Sequence, residues 1–319
     1  MYFVLPFFLL ATLLNAELVE RTQVAMGTFV TITVDEKYRE QQQKGFELIK
    51  AVENALSSYA PQADIYRLNH VRSVRISPYT YEALLLSQKY YKVSSGYFDI
   101  SVGSITKGLY HFGEEERVAG EKELAKAHVN FSGVHFTTTQ AWLDKKLLLD
   151  LGGMGKGFGV DKVASYLRAN KITKGKVALS GDIRCLDTCT MAIQNPFGEG
   201  IVATFTTKEP NTAISTSGNY RRFIVRKEHN HLINPKTKAS QQLFASITLL
   251  SHGPNSDIDA YATAASVMPL HRAVSFLDSL SFGYVLITNN GDQYVSENLG
   301  DFVTLLQFTQ RVPFTCETE

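Results

Sequence analysis

Apolar and polar positions alternate from Thr22 to Val34 (TQVAMGTFVTITV), with many β-branched residues, and this pattern predicts strand. The period then changes. From about Lys37 to Leu56, Phe46, Ile49, Val52 and Leu56 fall on one face of an otherwise polar helix. The stretch SSYAPQADIYRLNH (57–70) interrupts it, and a second helical pattern runs over 79–95 to a Ser-Ser-Gly stop. Residues 96–103 (GYFDISVG) open a new segment, and the charged stretch 116–130 reads as surface. Strand patterns follow in VHFTTTQAWL and KKLLLDLGG, and a helix over 159–170. KVALSGDIRC, TMAIQNPFG, IVATFTT, TAISTSG, RRFIVRK and HLINP continue as strands. Helices around 256–268 and 270–280 precede two last strands, YVLITNN and QYVSEN. Irregular alternation with strands dominating the middle predicts an α+β fold, mixed or antiparallel sheets flanked by helices. No fixed-period repeat or low-complexity tract is present.

Composition narrows the function classes. A net charge of +1 gives no basic surplus for nucleic acid. The first sixteen residues, MYFVLPFFLLATLLNA, are almost wholly apolar and end in a small residue. They predict an export signal cleaved near Ala16, with 17–319 as the mature domain in the periplasm. The segment carries no Lys or Arg ahead of its apolar core, so an uncleaved anchor at the inner membrane stays open. No cysteine near residue 16 offers a lipid attachment point. Cys185 and Cys189 form either a small structural bridge or two free thiols; Cys316 stands apart. No CxxC or neighbouring His completes a metal set around them.

The stretch 149–164, LDLGGMGKGFGVDKVA, crowds five glycines around Lys156. It is not a Walker loop, because Gly152 stands too near and Gly157 follows the lysine where Ser or Thr is needed. No register gives G-x-G-x-x-G either. Strand, glycine turn and helix still form an arrangement that aims free amides and a fixed positive charge at a phosphate. A tight packing turn with a solvated lysine is the alternative.

Two further clusters carry chemistry. In NSDIDAYATAASV (255–267), Asp259 and Thr263 are four apart and share a helix face; with nearby carbonyls they form the hard-oxygen set magnesium accepts. The same residues also read as a capping box, Ser256 with Asp259, and a self-bonded threonine. His231, just before a turn proline in HLINP, is a candidate general base or a structural histidine.

Seven segments in order resemble one family, the FAD:protein FMN transferases or ApbE-like flavin transferases. They are Met26-Gly27-Thr28, LSSYAPQADIYRLN (56–69), GYFDISVGSITKGLYHFG (96–113), DLGGMGKGFGVD (150–161), ISTSGNYRR (214–222), HLINP (231–235) and DAYATAASV (259–267). The resemblance implies an ApbE-like fold with an FAD cleft between two subregions. It implies a Mg2+-dependent enzyme that splits FAD at its pyrophosphate, moves FMN to a Thr or Ser hydroxyl of an exported redox protein and releases AMP. Matching positions imply FAD contacts at Met26, Tyr59, Tyr97, Phe98, Asp99, Asp150, Lys156 and Ile233. They imply metal ligation by Gly153 and Ala262 through their carbonyls, with Asp259 and Thr263, and a role for His231 in activating the acceptor. The chain departs from the family pattern at Ser180, in place of the first glycine of GGD, at Asn234, in place of an aspartate, and at Ser104-Ile105, in place of the Pro-Leu of its GPL. An FAD pyrophosphatase and a non-catalytic flavin-binding protein are the alternative readings, and homodimerisation is left open.

Overall fold

The computed structural model describes residues 17–309, so the predicted export signal and Cys316 lie outside the described residues. Its centre is an eight-stranded sheet in which every neighbouring pair is antiparallel. In spatial order the strands are Leu18–Ala25, Thr28–Asp35, Lys176–Leu179, Asp182–Cys185, Ala213–Gly218, Phe244–Ser251, Gly283–Thr288 and Gln293–Val295. Two three-stranded sheets accompany it: Thr190–Gln194, Ile201–Thr207 and Val303–Phe308 form one, and Ser73–Arg75, Val134–Phe136 and Gln140–Leu143 the other.

Burial explains the layering. The strand Phe244–Ser251 is buried at every position. Ile247 and Leu249 pack with Ala260 and Ala264 of the helix Asn255–Ser266, while Leu250 packs with Val202, Phe205 and Ile193 of the small sheet. A strand covered on both faces reads as a continuous apolar run. Further along, Val30, Ile32 and Val34 pack on Ile49 of the helix Arg39–Leu56 and on Val160, Val163 and Leu167 of the helix Gly155–Ala169. These three helices thus cover one face of the large sheet.

The structure corrects several element boundaries. The run 22–34 is two arms of a hairpin, because Met26 (φ 52°) and Gly27 (φ 71°) turn the chain without breaking the alternation. The interrupted stretch contains a helix, Asp64–Val71. KKLLLD (145–150) buries Leu147 and Leu149 but pairs with no strand. Side chains satisfy its backbone instead: Asn69 accepts from Leu149 N (2.7 Å) and donates to Leu149 O (3.0 Å). Periodicity reports burial, not which group fills the hydrogen bonds. For the same reason RRFIVRK and HLINP form isolated bridges, not strands.

Candidate functional site

The glycine cluster divides by role. Its helix begins at Gly155, earlier than the pattern predicts. Gly152, Gly153 and Gly155 line a cleft. Gly157 and Gly159 instead serve packing. A Cβ on Gly157 would stand 2.5 Å from Asn255 O, and one on Gly159 3.2 Å from Ile49 Cδ1. Only glycine lets the Gly155–Ala169 and Asn255–Ser266 helices approach this closely.

That approach brings two distant segments together. Asp259 accepts from Gly157 N (2.9 Å), and Thr263 Oγ1 donates to Gly153 O (3.2 Å). Lys156 Nζ lies 3.2 Å from Asp259 and 2.7 Å from Asp182. Asp182 is fully buried; its Oδ1 accepts from Ser215 (2.6 Å), while Oδ2 meets the lysine as a charge contact without a hydrogen bond in line. Burial opposes the charge on Lys156, but Asp182 and Asp259 together raise it above the usual lysine range. Burial, joined by the charge of Asp259, raises Asp182, against the pull of Lys156. The capping box expected at Ser256 and Asp259 does not form. Asp161, from the neighbouring helix, accepts from Asn255 N and Ser256 N, which frees Asp259 for the cleft.

The cleft has a volume of about 1310 Å³, above the roughly 300–1000 Å³ typical of pockets for drug-sized ligands. It is lined by every residue given an FAD, metal or catalytic role from sequence except Ala262, which is buried behind it in the helix. Met26 sits at the hairpin turn and its N–H donates to Glu53 (2.8 Å). Asp150 accepts from Thr106 Oγ1 (2.7 Å) and Gly152 N (2.9 Å) and lies 3.8 Å from Lys107. Burial pushes Asp150 up, yet Lys107 and Arg222 hold it below the usual carboxylate range. Tyr59 donates to Phe112 O (2.8 Å) and accepts from Arg222 (2.7 Å). Tyr97 faces the cations of Lys236 and Arg272. Phe98 packs edge-on to Tyr90. Asp99 caps its own turn through Ser101 N (2.8 Å) and Oγ (2.7 Å), and burial raises its pKa. Ile233 belongs to an apolar cluster with Phe112 and Ile105.

His231 is set by its backbone neighbour. Its Nδ1 lies 3.1 Å from Arg222 O, and a carbonyl only accepts, so Nδ1 carries the proton. Nε2 is left with a lone pair. Burial first, and the Arg222 charge second, push the imidazole down to about 4, so it is neutral at physiological pH.

Sequence reasoning passed over Lys107, Arg222, Thr106 and Asp182, all at or beside the cleft. Each lay inside a quoted motif, but only the fold reveals what its polar atoms meet. Ser180, the departure from GGD, adopts φ 54°, the left-handed region a glycine would favour. Among the described residues, no three His, Cys, Asp or Glu cluster as a metal site. One carboxylate, a hydroxyl and a carbonyl form a partial oxygen set, of the kind a divalent ion completes with ligand phosphate and water.

Comparison with known proteins follows the same lines. A family model described as the ApbE family matches residues 26–286. An FAD:protein FMN transferase of Vibrio cholerae is 26% identical over 278 residues, covering 81% of this chain and 83% of that protein. One from Haemophilus influenzae is 28% identical over 286 residues, covering 82% of each. Among solved structures, the ApbE protein of Thermotoga maritima superposes with a TM-score of 0.82 at 21% identity, covering 90% of this chain and 99% of that one. The flavin transferase ApbE from Vibrio cholerae gives 0.79 at 25%, with the same coverage.

Proposed function

The chain belongs to the ApbE family, and from that premise we propose that it is a magnesium-dependent FAD:protein FMN transferase acting on a Thr or Ser hydroxyl of an exported redox protein. The observation that carries the reading is the meeting of the Gly153 carbonyl, the Asp259 carboxylate, the Thr263 hydroxyl and the Lys156 ammonium in one large cleft. These oxygens fit a magnesium ion, and Ala262 lies on the same helix between Asp259 and Thr263. When bound, magnesium supplies Lewis-acid neutralisation of the diphosphate. Lys156, held mainly by Asp182, stays beside the phosphates as a fixed charge.

Neutral His231 takes the acceptor proton at Nε2, because Nδ1 is committed to Arg222 O. The hydroxyl oxygen bonds to the FMN phosphorus as the bond from that phosphorus to the bridging oxygen breaks, and AMP departs with that oxygen. The aromatic and cationic lining around Tyr59, Lys107 and Arg222 orients the dinucleotide. Export of the protein is part of the proposal. It draws support from the apolar N-terminus and from the Cys185–Cys189 disulfide, a bond that persists in oxidising compartments.

The test is incubation of the purified protein with FAD, magnesium and a threonine-bearing redox subunit, read by intact mass. An FMN adduct with one AMP released per adduct is expected. FAD binding without AMP would overturn the reading, and FMN free in solution with no adduct would mark a hydrolase.

A further inference from the structure

The two helices that meet at the oxygen set cap each other. Asp259, in the helix Asn255–Ser266, accepts from Gly157 N in the first turn of the helix Gly155–Ala169. Asp161, one turn further along that second helix, returns the contact. It accepts from Asn255 N (2.8 Å), Ser256 N (2.9 Å) and Ser256 Oγ (2.7 Å) at the start of the first. Each helix therefore supplies the carboxylate that satisfies the other's free N–H groups.

A third element locks the pair. Arg184 is buried on the strand Asp182–Cys185, two residues from the aspartate that holds Lys156. Its guanidinium reaches Asp161 (3.2 Å), Asn255 Oδ1 (2.8 Å), Gly253 O (2.7 Å) and Asn211 O (2.7 Å). Asn255 in turn donates to Ile183 O (2.9 Å). None of Asp161, Arg184 or Asn255 lines the cleft, and the reaction proposed above uses none of them.

We propose that Asp161, braced by Arg184, is the positioning residue that sets Asp259 and Thr263 against the Gly153 carbonyl, and so fixes affinity for the divalent ion. The inference rests on the reading of that oxygen set as a metal site. Its physical basis is registry. Four donors converge on one carboxylate within a turn of Asp259, and Gly157 removes the side chain that would otherwise hold the helices apart. Partners that hydrogen-bond metal ligands directly typically alter metal affinity about 10- to 100-fold when removed; Asp161, which acts through the helix start, belongs at the lower end.

The experiment compares Asp161→Asn with Asp64→Asn. Asp64 is likewise a buried cap, accepting from Ser77 N (2.7 Å) and Thr80 Oγ1 (2.7 Å), but these partners belong to neither clamp helix. Two quantities are read for each: the magnesium concentration giving half-maximal FAD cleavage, and the dissociation constant of manganese(II) in the presence of FAD, from loss of the free-ion EPR signal. Both should rise about tenfold in Asp161→Asn and stay unchanged in Asp64→Asn at a comparable loss of Tm. Unchanged metal binding in Asp161→Asn, or an equal rise in Asp64→Asn, overturns the proposal. Should Asp161→Asn fail to fold, Ser256→Ala removes one donor and should raise both quantities roughly twofold; no change there is equally fatal. Wild-type protein that cleaves no FAD would refute the transferase reading, leaving the manganese comparison to judge the clamp.

Discussion

His231 shows how one hydrogen bond assigns a chemical role. Donation from Nδ1 to Arg222 O leaves Nε2 as the base, and burial keeps the ring neutral. Lowering the pH from 7.5 to 5.5 should not cost activity through this residue, since its pKa is about 4; a kcat–pH profile checks this. Between about 4 and the ordinary value of 6.5 the unfolded chain binds the proton and the folded chain does not. Stability rises with pH across that window, so wild type should lose more than His231→Gln between pH 7 and 4.5 in urea titrations. Asp259→Asn should cut FAD cleavage roughly 100-fold, because the proposed metal site loses its one carboxylate; steady-state rates decide. Lys156→Met would leave Asp182 and Asp259 buried without their shared cation. Breaking such a pair should cost about 2–3 kcal/mol, on the lower side because the lysine side chain is 30% exposed. Urea denaturation measures it, and FAD affinity should fall as well.

At the scale of elements, the decisive feature is how near two helices come. A Cβ at Gly157 would meet Asn255 C at 2.7 Å and O at 2.5 Å, both backbone atoms that cannot rotate away. Gly157→Ala should therefore push the helices apart at a cost of about 1–3 kcal/mol. Unlike a surface Gly→Ala change, which stabilises helices, it should lower Tm, as differential scanning calorimetry would record. The large sheet makes this possible. It holds Lys176–Leu179 and Asp182–Cys185 beneath the first helix and Ala213–Gly218 and Phe244–Ser251 beneath the second, through two hydrophobic clusters that both pack on Met26.

Across the whole molecule, the cleft gathers the first hairpin turn, the 97–113 segment, the glycine turn and the 214–235 region, widely separated in sequence. The Cys185–Cys189 bridge ties the large sheet to the strand Thr190–Gln194 on the cleft wall. It closes a small loop, so its loop-entropy contribution is roughly 2 kcal/mol. Reduction should lower Tm by a few degrees while FAD binding survives, as a thermal melt with and without reductant would reveal. Among the described residues no helix is long and apolar enough to cross a membrane.

Much of this was legible beforehand. Alternation and helical period mark the first hairpin, the 39–56 helix and the closing strands, because burial on one face leaves a regular trace along the chain. Asp259 and Thr263 share a face for the same local reason. Other features left no such trace. KKLLLD shows a strand's apolar rhythm yet is satisfied by Asn69 and Ser104. Nothing local tells that Asp161 caps a helix almost a hundred residues away, or that Lys107 and Arg222 converge on Asp150. The sequence by itself determined the periodicities, the glycine positions and the donor types, since these depend on each residue and its near neighbours. Only the tertiary structure decided which carboxylate caps which helix, which nitrogen of His231 is free and which two carboxylates share Lys156, because hydrogen bonds and charge pairing depend on distances through space.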